Sequence, residues 1–105
     1  MNREMADKII EIIKEDATGR TRMFSENGEM CVLGGLWAAY TGKTCEELYR
    51  RYTNLDNDEP EPYAEVVEAY GLTSQQKYDL YTTNDNYEIL YERRAALIEL
   101  VESWV

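Results

Sequence analysis

Glu29-Met30-Cys31-Val32-Leu33-Gly34-Gly35-Leu36-Trp37-Ala38-Ala39-Tyr40 is the most apolar stretch of the chain, and Gly42 follows it closely. The run is far shorter than the ~20 residues that cross a bilayer and about the length of a buried core helix, with Gly42 placed as its C-terminal stop. Each of Gly34 and Gly35 costs roughly 1 kcal/mol against alanine inside a helix. They therefore demand a reason. Gly34 with Ala38, and Gly35 with Ala39, set small residues one turn apart and let another helix approach closely. A phosphate-cradling loop is the competing account, but Gly-Gly followed by Leu-Trp has neither nucleotide-binding spacing nor a P-loop lysine.

Working outward, Arg3 to Glu15 carries Met5, Ala6, Ile9, Ile10, Ile12 and Ile13 among charges. That three-and-four spacing predicts an amphipathic helix ended by Thr18-Gly19. Asn27-Gly28 is a turn signal, which leaves room for a minor β-hairpin near residues 20–30. Thr44-Cys45-Glu46-Glu47 and Thr73-Ser74-Gln75-Gln76 fit capping boxes, and Asp85-Asn86-Tyr87-Glu88 offers a third helix start of the same logic. Tyr63 to Tyr70 is a further helical segment, closed by Gly71. The last helix is expected over Asn86 to Trp104, with Leu90, Leu97, Val101 and Trp104 as its core seam. The whole chain, residues 1–105, thus reads as one all-α domain, a compact bundle of about five or six short helices.

The chain resembles a family of uncharacterised small helical domains found in bacteria and their phages. The likeness rests on Cys31-Val32-Leu33-Gly34-Gly35-Leu36 on a helix, and on Thr83-Asn84-Asp85 before a long final helix through Leu97 and Leu100. It spans residues 29 to 102. The chain departs from the pattern in Gly35, where alanine is usual, and in the tyrosine-threonine run before Asn84. The resemblance implies a compact, phage-borne helical domain and transfers no catalytic residue.

Composition narrows the function classes. There is no histidine, so Ser-His-Asp and Cys-His nucleophile systems, His-containing zinc sites and histidine general bases are excluded. The net charge is −10, from 21 acidic and 11 basic side chains. Phosphate backbones and anionic membranes repel such a chain, and basic proteins are its natural electrostatic partners. With no apolar run of membrane length and no apolar core of a signal peptide near Met1, the expected location is cytoplasmic. There Cys31 and Cys45 stay free thiols rather than a disulfide.

Four candidate constellations remain. Asp56, Asp58, Glu59, Glu61, Glu65 and Glu68 form an acidic patch with no basic residue between Tyr52 and Gln76. Within it, Asn54 to Glu65 has calcium-loop oxygens at positions one, three, five and twelve, but Glu59 stands where the turn requires glycine. Tyr81, Asp85 and Glu88 are a candidate polar site for acid-base work or for a divalent cation. Cys45 in a first helical turn beside Lys43 is a candidate reactive thiol, opposed by Glu46 and Glu47. Nine tyrosines, spread over every helix after the first, supply rings suited to a wet, partly apolar surface. The leading expectation is a non-enzymatic accessory protein, encoded by a phage or mobile element, that binds another protein and carries no cofactor. Three alternatives stay open: a nucleic-acid mimic that occupies a basic host factor, a small carboxylate enzyme or ligand-binding domain, and a self-assembling homo-oligomer.

Overall fold

A computed structural model describes residues 1–15, 19, 24, 28–52 and 63–105. Six helices lie among them: α1 Arg3–Glu15, α2 Val32–Thr41, α3 Cys45–Tyr52, α4 Tyr63–Ala69, α5 Ser74–Asn86 and α6 Leu90–Glu102. The described residues form no strand, and the fold is all-α. Most of the expected hairpin lies outside the described residues. What is seen beside it is a hydrogen bond from the Gly19 amide to the Met30 carbonyl.

The apolar stretch becomes α2, the middle of the bundle. Val32, Leu33, Gly34, Gly35, Leu36, Trp37 and Ala38 are all buried, so this helix has almost no solvent face. Such all-round burial is what an all-round apolar helix demands. It packs against α1, α3, α4 and α5. Gly42 stops it in the left-handed conformation at φ 71°, donating its amide to Ala38, a conformation that glycine adopts without the steric penalty of a Cβ.

Around α2 each helix buries the stripe its sequence provides. In α1, Ala6, Ile9, Ile10, Ile12 and Ile13 are buried, and Asn2 caps the first turn by accepting from the Met5 amide at 2.8 Å. α6 runs antiparallel to α1. Their paired ends are held by two hydrogen bonds from the Arg3 guanidinium to the Glu102 carboxylate and by the Met1 amino group donating to the Trp104 carbonyl. α4 docks through Tyr70, whose hydroxyl donates to the Leu36 carbonyl at 3.1 Å, and whose burial pushes its phenol pKa up. The radius of gyration, 12.8 Å, is that of a compact chain of this length.

One of the two expected capping boxes forms in full and the other in half. Thr73 accepts from the Gln76 amide while the Gln76 side chain accepts from the Thr73 amide, a complete reciprocal pair. At Thr44 the hydroxyl accepts from the Glu47 amide, but the Glu47 carboxylate takes its hydrogen bond from that same hydroxyl rather than from the Thr44 amide.

The third expected start is displaced. Asp85 and Asn86 close α5, and α6 begins at Leu90 with Ile89 before it and no side-chain cap. The core seam of α6 shifts accordingly. Leu97 and Val101 are fully buried as expected, but the position one turn earlier in the seam belongs to Arg93, 4% exposed, while Leu90 is 37% exposed. Arg93 donates from Nη1 to the Tyr87 carbonyl at 3.2 Å. Tyr87 is the C-cap of α5, so the guanidinium sits where a helix C-terminus favours positive charge.

Candidate functional site

The Cys31–Leu36 segment and the Thr83-Asn84-Asp85 segment meet in space. Asn84 is fully buried on α5. Its Oδ1 accepts from the Val32 amide at 3.1 Å and its Nδ2 donates to the Gly19 carbonyl at 3.0 Å. The first residue of α2 therefore receives its cap from another helix. One amide side chain thus joins three distant segments. Gly19 fits here because it lacks a side chain: a Cβ on it would lie 3.0 Å from the Met30 carbonyl carbon.

Cys31, the N-cap residue of α2, is buried beside this junction. Burial pushes its pKa up to about 11; the amides of Gly34 and Leu33 act against that rise, and the Asp85 carboxylate adds to it. The thiol therefore keeps its proton at neutral pH and does not serve as a thiolate nucleophile. Cys45 is also buried, with its thiol directed at the Glu29 carbonyl at 3.6 Å. The chemistry of this junction is that of a clamp.

The other candidates separate. Tyr81 and Asp85 share one face of α5, a turn apart, while Glu88 lies beyond the helix in the connection to α6. Among the described residues no three Cys, Asp or Glu side chains gather as a metal site would require. Of the acidic patch, Glu65 and Glu68 are exposed on α4, and Glu65 accepts from the Tyr40 hydroxyl at 2.8 Å. That bond holds the Tyr40 pKa above its ordinary value. Asp56, Asp58, Glu59 and Glu61, with the calcium-like loop, lie outside the described residues.

The displaced start of α6 creates a surface that sequence reasoning missed. Tyr87, Ile89, Leu90 and Tyr91 are 40, 59, 37 and 82% exposed, four large side chains within five residues at one corner of the bundle. Singly exposed apolar residues are common; four within five residues of chain is a denser run than that. Beside this corner a groove of about 420 Å³ runs between α5 and α6, and Tyr87 belongs to both. Half-buried Thr83, Ala96 and Leu100 form its bed, with Asn86, Tyr87 and Glu99 exposed along its edges. The signal available in the sequence was the spacing Arg93-Leu97-Val101, a regular four-residue seam that leaves Tyr91 off the core face, while Ile89, in step with it, precedes the helix.

No protein-family model matches this chain, and neither a curated protein nor a solved structure matches it. The class defined by fold and surface is a small all-helical domain with a buried polar clamp and an exposed aromatic corner. No helix among the described residues is long and apolar enough to cross a membrane.

Proposed function

We propose that this chain is a non-enzymatic accessory protein that acts by binding another protein through the corner formed by Tyr87, Ile89, Leu90 and Tyr91. The observation that carries the reading is the joint exposure of these four side chains at the junction of α5 and α6. Tyrosine supplies large contact area with little conformational entropy to lose and is enriched in binding hot spots, and the aliphatic side chains beside it add apolar area. The net charge of −10 directs the choice of partner toward a basic protein and away from nucleic acid. Two free thiols suit a reducing cytoplasm. A phage or mobile element as the source is what the family likeness implies.

The test is affinity capture from host lysate, with the wild-type chain and an Ile89→Ser/Tyr91→Ser variant immobilised side by side and eluted with salt. Both positions are exposed, so the variant keeps its fold, which circular dichroism checks. The expected result is one specifically retained protein that the variant loses. Equal retention on both columns, or no specific retention, would contradict the proposal.

A further inference from the structure

We draw no further inference here: the strongest candidate, the groove between α5 and α6 beside the exposed corner at Tyr87, Ile89, Leu90 and Tyr91, carries nothing beyond the protein-binding reading, because nothing in the structure shows what covers it.

Discussion

At the residue scale, the informative side chain is Asn84. Buried amides are kept when both ends find partners, and this one accepts from Val32 and donates to Gly19 across sequence separations of 52 and 65 residues. Asn84→Ala removes both bonds and strands a buried amide and a buried carbonyl. We expect a loss of about 2–4 kcal/mol in urea denaturation, and a similar loss for Asn84→Asp, which keeps an acceptor for Val32 but sets an oxygen against the Gly19 carbonyl. A loss below about 1 kcal/mol in both would show that the junction is not the clamp described. Cys31 gives a pH signature. Its folded pKa is raised to about 11, above that of the unfolded thiol, so the folded chain holds the proton longer. Its contribution is fully present below about pH 8.5 and is lost as pH rises toward 11. Stability measured from pH 8 to 11 should fall less steeply in Cys31→Ala than in the wild type; parallel curves would contradict the assignment.

At the element scale, local rules worked where the chemistry is local. Thr73 and Gln76 form the complete box their spacing announces, and Thr73→Ala should cost about 1 kcal/mol, read as a lower urea midpoint at unchanged slope. The stripe of α1 and the left-handed stop at Gly42 were legible for the same reason. Asp85 and Glu88 satisfy the same pattern, but Asp85 lies inside α5 and Ile89 stands at the N-cap of α6. Their neighbour Asn84 is committed to Val32 and Gly19, which holds α5 helical through Asn86 and moves the start of α6 to Leu90. Nothing within a few residues of Asp85 announces that commitment. The seam of α6 shows the same limit. Leu90 and Arg93 are both spaced to precede Leu97, and hydrophobicity favours Leu90, but the bundle ends before Leu90 and the α5 C-terminus offers Arg93 a carbonyl.

At the scale of the whole molecule, the apolar helix α2 dictated an all-helical bundle around itself, and that much followed from composition and periodicity. The surface did not, because exposure of the corner depends on where α6 begins relative to the end of the core. The acidic character noted in the sequence takes a position as well: Glu99 lines the groove, and Glu65 and Glu68 stand exposed on α4. The measurement that most directly tests the corner as the binding surface is the affinity of the captured partner for three purified chains: wild type, Ile89→Ser/Tyr91→Ser, and Glu65→Gln/Glu68→Gln. Loss of two large side chains that the partner would cover should weaken binding by tenfold or more, on the order of 2 kcal/mol, while the α4 variant stays within about twofold of wild type. Unchanged affinity in the corner variant, with a large loss in the α4 variant, would contradict the account.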